Sequence, residues 1–348
     1  MATPRKDMTL ALDAMGGDNA PFSVLEGADK ALLRHPGIKF LLYGDAPQLE
    51  KILQKFPKLR AVSTVMHADV VIQSDEKPSV ALRKNKTSSM GMAIHAVMDG
   101  KADGAVSAGN TGALMAIAKF LLRTLEGIDR PAIASLFPTK NGECVILDLG
   151  ANVECDAENL FEFAVMGDAF TRAVLGLQNP RIGLLNIGSE EMKGRDEIKA
   201  ASANLRESSL APYFYGYIEG DSISEGLVDV VVTDGFSGNI ALKTAEGTAK
   251  TCVHYLKQAF GSSLLAKLGY LLARPALKTM FAHLDPRHHN GAMFLGLNGV
   301  VVKSHGGTDG VGFANAVGVA ANMISHNVNQ QIIEDMNTTH SHLLLEKA

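Results

Sequence analysis

The feature that most constrains this chain is a rhythm. Short, nearly continuous apolar runs at 9–12, 38–43, 104–107, 144–147, 182–186, 228–233 and 299–303 alternate with longer helical windows. A run that is apolar at every position, rather than at every second one, suits a strand covered on both faces. Helical spacing fills the intervals near 21–34, 88–99, 111–125, 159–175, 195–208, 236–260 and 310–333. Strand then helix, repeated, predicts a three-layer α/β/α architecture with a mostly parallel sheet. With 348 residues, 46% of them hydrophobic, the chain can bury a sizeable core. Residues 1–340 read as one large α/β domain and 336–348 as a flexible tail.

The strand ends are small and polar. They read Asp13-Ala14-Met15-Gly16-Gly17-Asp18, Ser107-Ala108-Gly109-Asn110-Thr111-Gly112-Ala113, Asp148-Leu149-Gly150-Ala151-Asn152, Asn186 to Gly194, Asp234-Gly235-Phe236-Ser237-Gly238-Asn239 and Ser304-His305-Gly306-Gly307. Ligands of open parallel sheets bind beyond the carboxyl ends of strands, so six such loops are expected to line one crevice. Any single loop reads equally well as a turn and helix cap. Lys193 and Lys243 beside the glycines tilt the set toward anion binding, because glycine lets backbone N–H groups approach a ligand and a helix start adds partial positive charge. The phosphate loop Gly-x-x-x-x-Gly-Lys-Ser/Thr, the dinucleotide Gly-x-Gly-x-x-Gly after the first strand, and the Gly-x-Ser-x-Gly nucleophile elbow are all missing.

Composition removes other classes. A net charge of −4 argues against a globally basic nucleic-acid binder, and 6% aromatics with no tryptophan argue against base stacking. Cys144, Cys155 and Cys252 are too few and too scattered for a disulfide framework or a zinc knuckle. His283, His288 and His289 cluster without a partnering carboxylate at ligand spacing, so no metal is expected. Arg5 and Lys6 precede an apolar stretch, but Asp13 and Asp18 interrupt it, so an export signal is not expected.

One segment departs from the average. From 247 to 284 there is no Asp or Glu, while Lys250, Lys257, Lys267, Arg274 and Lys278 bring a local charge near +5. Gly261 and Pro275 read as breaks, giving a helical hairpin over 245–285 with a leucine-rich tip that includes Leu264, Leu268, Leu271 and Leu272. The hairpin serves equally as a core or dimer-interface pair, or as an apolar tip with lysines for an anionic membrane surface. A second basic group, Arg83, Lys84 and Lys86, suits a phosphate or an acidic partner, or is simply a solvated face.

Taken in order, the loops at 13–18, 107–113, 148–152 and 235–243 resemble the bacterial acyl-[acyl-carrier-protein]:phosphate acyltransferase family of phospholipid synthesis, over about residues 8–335. The resemblance implies a fold like phosphotransacetylase and isocitrate dehydrogenase. It also implies transfer of a long-chain acyl group from acyl carrier protein to inorganic phosphate, with no cofactor. The product would be an acyl phosphate for phosphatidic acid synthesis. It further implies a cytoplasmic homodimer resting peripherally on the inner face of the plasma membrane. The family's Gly-Gly-Ala-x-Leu-Leu-Gly stretch is Asn290-Gly291-Ala292-Met293-Phe294-Leu295-Gly296 here. Asparagine in place of the first glycine still tolerates φ > 0.

Phosphate is already a competent nucleophile, so such a reaction needs position and charge rather than a covalent intermediate. Lys193 and Lys243 are the expected cations for phosphate or oxyanion. Asn110, Asn152 and Asn239 are neutral donors, and Ser107, Gly109 and Thr111 suit a phosphate cradle with Gly16, Gly17 and Gly238. Asp13 and Asp18 would orient a lysine or handle a proton, and His305 would act as an acid for the leaving thiol. Acidic carrier protein would dock on Arg83, Lys84 and Lys86 or on the 250–278 group. Alternatives are a phosphotransacetylase-like enzyme using acyl-coenzyme A, an NAD(P)-dependent dehydrogenase on a related fold, and a non-catalytic scaffold.

Overall fold

The computed structural model describes residues 7–283, 287 and 290–346, with side chains in 279–283 and 340–346 left aside. Strands are β1 (Met8–Asp13), β2 (Ile38–Gly44), β3 (Ser63–His67), β4 (Gly104–Ser107), β5 (Ala132–Thr139), β6 (Gly142–Leu147), β7 (Ile182–Leu185), β8 (Phe214–Ile218), β9 (Val230–Val232), β10 (Ala292–Leu295) and β11 (Val300–Lys303). Helices are α1 (Phe22–Ala31), α2 (Ala46–Leu53), α3 (Pro57–Ala61), α4 (Pro78–Arg83), α5 (Ser89–Met98), α6 (Thr111–Leu122), α7 (Ala157–Phe170), α8 (Asp196–Arg206), α9 (Ser222–Glu225), α10 (Gly235–Gly261), α11 (Leu264–His283), α12 (Gly310–Ser325) and α13 (Val328–Glu346).

All strands join one sheet in the order β3-β2-β1-β4-β11-β10-β5-β6-β9-β7-β8. Pairing is parallel except for β10 with β11, β10 with β5, and β5 with β6. The expected strands therefore form, and β3, β5, β8 and β10 join them. Alternation along each strand builds two covered faces. Leu10, Leu12, Val106, Val302, Leu147 and Val232 face one core with α1, α7, α8, α12 and α13. Val301, Ile146 and Val231 face the other with α4, α5, α6 and α9. This is the predicted three-layer arrangement.

A single register row crosses the sheet: Leu12, Val106, Val302, Met293, Ala134, Leu147, Val232 and Leu184 lie abreast. The antiparallel turns at β10 and β5 reverse the strand direction across it. β1, β4 and β11 end at one edge, whereas β6, β9 and β7 end at the opposite edge. The six loops thus form two groups of three, not one crevice. Asp13 and Asp148 lie five strands apart in the order, about 24 Å along the sheet.

Two further expectations change. Pro275 lies inside α11 and does not end it. A proline removes one intrahelical hydrogen bond, and an exposed helix can pass the freed carbonyl to water. The tip leucines are accordingly the first two turns of α11, and the hairpin continues a helix that begins at Gly235. The tail expected from 336 is helical through Glu346, with Met336 and Thr339 buried. His288 and His289 lie outside the described residues, as does the side chain of His283. Among the described residues no cluster could hold a metal ion, and no helix is long and apolar enough to cross a membrane.

Candidate active site

At the first edge, the residues just past the register row are Asp13, Ser107 and Lys303, with Lys303 paired to Ser107. Asp13 is buried and accepts hydrogen bonds from Ser89 Oγ at 2.6 Å and Ser107 Oγ at 2.7 Å. Burial pushes its carboxyl above the usual carboxylate range, against the pull of those hydroxyls. Ser107 Oγ also accepts the Gly109 amide at 3.0 Å, so this hydroxyl is committed inside the protein. Gly16 and Gly109 pack against Asp13, and Gly17 has φ +103° with Ala108 and Gly306 too near for a side chain. The Asp18 amide donates to Gly306 O at 2.9 Å, tying the 13–18 loop to the 304–307 loop.

His305 is exposed, and its Nδ1 accepts the Gly307 amide at 3.2 Å. That bond assigns the proton of the neutral ring to Nε2. Partial burial and the neighbouring charges of Lys303 and Lys243 hold its pKa below the usual histidine range. A neutral imidazole with Nε2–H is suited to donating a hydrogen bond rather than a full proton.

The sequence draws attention to the Asn290 backbone. The buried Asn290 side chain donates to Ser304 Oγ, Thr308 Oγ1 and Gly312 O, and accepts the His305 amide at 2.8 Å. It pins the loop that presents His305.

The second edge is held differently. Asp148 is fully buried and accepts from the amides of Ile133, Gly150, Ala151 and Asn152 and from Asn152 Nδ2. A Cβ on Gly238 would lie 1.9 Å from Asp148 O, so only glycine lets α10 start this close. Asp234 caps α10 through the Ser237 amide at 2.7 Å and pairs with Arg195. Asn239 is exposed on α10 and donates to Leu149 O at 3.1 Å, leaving its second N–H and its oxygen open. Lys193 is exposed and ion-paired with Glu190 at 2.9 Å.

α10 links the edges. It starts beside Asp148, yet its Lys243 acts electrostatically on both His305 and Lys303 of the first group. Lys243 is exposed and paired with Glu246 at 2.9 Å.

Two of the three expected asparagine donors are occupied. Asn152 Nδ2 reaches Pro131 O at 2.8 Å and Asp148 at 3.0 Å. Asn110 Nδ2 holds Ser74 O and Glu76 O while its oxygen caps α6 at Ala113. Thr111 is exposed in the first turn of α6. Arg83 is exposed at the end of α4, and its neighbour Lys84 is paired with Glu76 at 2.8 Å. Leu264, Leu268, Leu271 and Leu272 are exposed far along the hairpin. Sequence reasoning missed Lys303, Ser89 and the Asp234–Arg195 pair. Lys303 had a usable signal, since the last residue of a doubly covered strand in mid-sheet is buried.

The comparisons with known proteins bear on this geometry. A family model described as "Fatty acid synthesis protein" matches residues 8–331. A protein named phosphate acyltransferase from Rhodospirillum centenum is 60% identical over 94% of this chain and 92% of its own length. Its namesake from Paramagnetospirillum magneticum is 58% identical over 93% of each. A phosphotransacetylase structure from Streptococcus pyogenes shares the fold at TM-score 0.62 and 18% identity, covering 92% of this chain and 95% of that one. By its family model and by these full-length relatives, this chain belongs to the fatty acid synthesis protein family, among the phosphate acyltransferases.

Proposed function

We propose that this phosphate acyltransferase takes a long-chain acyl group from an acyl-carrier-protein thioester and gives it to inorganic phosphate. The observation that carries the direct-attack reading is the state of the two buried cysteines and of the serines beside Asp13. Burial pushes the Cys144 and Cys155 thiols up to about 12, and Ser89 and Ser107 are buried with their protons on Asp13. The candidate site offers cations, amides and a neutral imidazole instead. A phosphate oxygen attacks the thioester carbonyl carbon, the C–O bond forms and the C–S bond breaks. The leaving thiolate then takes a proton from solvent or from phosphate. Lys243 supplies positive charge and Asn239 an N–H donor to the developing oxyanion or to phosphate, and His305 donates from Nε2.

Arg83 and Lys86 make no ion pair among the described residues, which supports a docking surface for an acidic carrier protein beside the first edge. The exposed leucines of α11 with Lys267 support peripheral contact with the inner face of the plasma membrane in the cytoplasm. Phe120, Phe236 and Ile240 are exposed in the single chain, which supports a homodimer that covers them.

A hydroxylamine trap tests the reaction. Palmitoyl-carrier protein with phosphate should give palmitoyl hydroxamate, and acetyl-coenzyme A should give little. Faster turnover of acetyl-coenzyme A would replace this reading with a phosphotransacetylase-like one.

A further inference from the structure

We propose that Lys303 is the cation that receives the phosphate nucleophile, making it a catalytic residue of the reaction proposed above, on which this inference rests. The sequence of β11 places it. In a strand reading Val-Val-Val-Lys, Val302 faces the α1–α12 core, so Lys303 points to the opposite face. Asp13 and Ser107 follow Leu12 and Val106 in the same way. Three polar side chains therefore stand abreast on one face of the sheet, at the edge where β1, β4 and β11 end.

Lys303 is only 8% exposed. Its Nζ donates to Ala108 O at 3.4 Å and to Ser304 O, which leaves one of three N–H groups without an acceptor among the described residues. Among the described residues no carboxylate lies within ion-pair distance of it. A buried ammonium held by carbonyls alone is costly, and an incoming anion removes that cost. Burial drives its pKa down to about 8 even though Asp13 and Asp18 pull it upward. Lys193 and Lys243 are in the contrary state, since both are exposed and each already holds a glutamate at 2.9 Å.

The surroundings fit a small oxyanion. Ala108 O, which accepts a hydrogen bond from Lys303 Nζ, begins the loop into α6. The Asn110 side chain caps Ala113 and the Asn110 carbonyl accepts Leu114, so the amides of Thr111 and Gly112 keep no acceptor among the described residues. They are the donors that a helix start offers to an anion. Asp13 and Asp18 are the carboxyls whose charge reaches the ammonium, and the Asp13 oxygens are already occupied by two serine hydroxyls. Burial raises the Asp13 pKa, which weakens its opposition to a nearby anion. In the acyl transfer Lys303 keeps its proton throughout, and only the C–O and C–S bonds change.

The test uses the full chain with inorganic phosphate as the probe. Wild type should gain thermal stability with added phosphate in the absence of any acyl donor. Lys303→Met should lose that gain, whereas Lys193→Ala should keep it. With palmitoyl-carrier protein, Lys303→Met should lower kcat/KM for phosphate by about 100-fold and leave KM for the thioester within about threefold. Undiminished phosphate stabilisation in a folded Lys303→Met would overturn the assignment. Should that variant not fold, phosphate soaked into wild-type crystals decides. Density within hydrogen-bond distance of Lys303 Nζ supports the proposal, and density at Lys193 alone ends it. A wild type that binds phosphate through Lys303 but makes no acyl phosphate would leave this site standing and remove the reaction proposed above.

Discussion

Asp13 and Asp148 occupy equivalent places at opposite edges of the sheet, each one residue beyond the same register row. Their partners differ in kind. Asp148 is held by four backbone amides and the Asn152 side chain, donors that cannot change role. Asp13 is held mainly by two serine hydroxyls, which rotate and can accept as readily as donate. The first arrangement fixes a loop and the start of α10. The second tolerates a change of charge, which is what a site beside a reacting anion requires.

The most severe way to break this contrast is to replace each carboxylate by its amide. In Asp148→Asn an NH2 group must face the Asn152 amide and Asn152 Nδ2, leaving donors opposed. The expected loss is about 2–5 kcal/mol, read as a shifted urea midpoint. Asp13→Asn lets the serines reverse and should cost less than about 1 kcal/mol. Equal destabilisation would erase the distinction. On activity the order inverts, because Asp13→Asn should keep its fold yet lose about 100-fold in acyl-phosphate formation.

A smaller effect tests the link between the edges. Asn239→Ala removes an exposed α10 donor while Asp148 keeps all its partners, so turnover should fall by about 10-fold with the melting temperature unchanged. The hairpin tip lies apart from both carboxylates. Leu268→Glu with Leu271→Glu should abolish flotation with anionic vesicles and leave turnover in solution within about twofold. Retained flotation would remove the tip from the membrane reading.

The mildest effect is on pH dependence. Lys303 sits at about 8 in the folded chain and at 10.5 in a free lysine. Between those values the unfolded chain holds a proton that the folded chain has shed. Stability from this group therefore rises as pH climbs from about 8 to 10.5 and is lowest below 8. Asp13, Asp18 and Lys243 are the charged neighbours that tune it. Urea midpoints at pH 7.5, 9 and 10 should rise less in Lys303→Met than in wild type.

Much of the fold was legible because its central strands are buried on both faces, which writes a continuous apolar run into the sequence. β3 and β8 escaped notice as edge strands with exposed residues, and β5 because Pro138 and a half-buried end interrupt it. What no run could reveal is direction. The reversal at β10 and β5 depends on long-range pairing, so the loops looked like one set when they are two. At the site, strand ends carry Asp13 and His305 to one edge, and α10 brings the charge of Lys243 to bear on His305. Asn152 and Asn110 looked like ligand donors because a sequence does not show that backbone carbonyls, and for Asn152 the Asp148 carboxylate, already claim their amide protons. Asn290 was read for its backbone, whereas its side chain carries the role.

α10 has one further property. Of its 27 residues only Gly235 and Gly238 are buried, both at its first turn. It is therefore a rod clamped at one end, with Lys243 about 9 Å and the tip about 36 Å from the clamp. A rigid swing that carries the tip 4 Å moves Lys243 by about 1 Å. The rod gears motion down fourfold, so whatever the tip rests on reaches the Lys243–His305 neighbourhood as a fine adjustment.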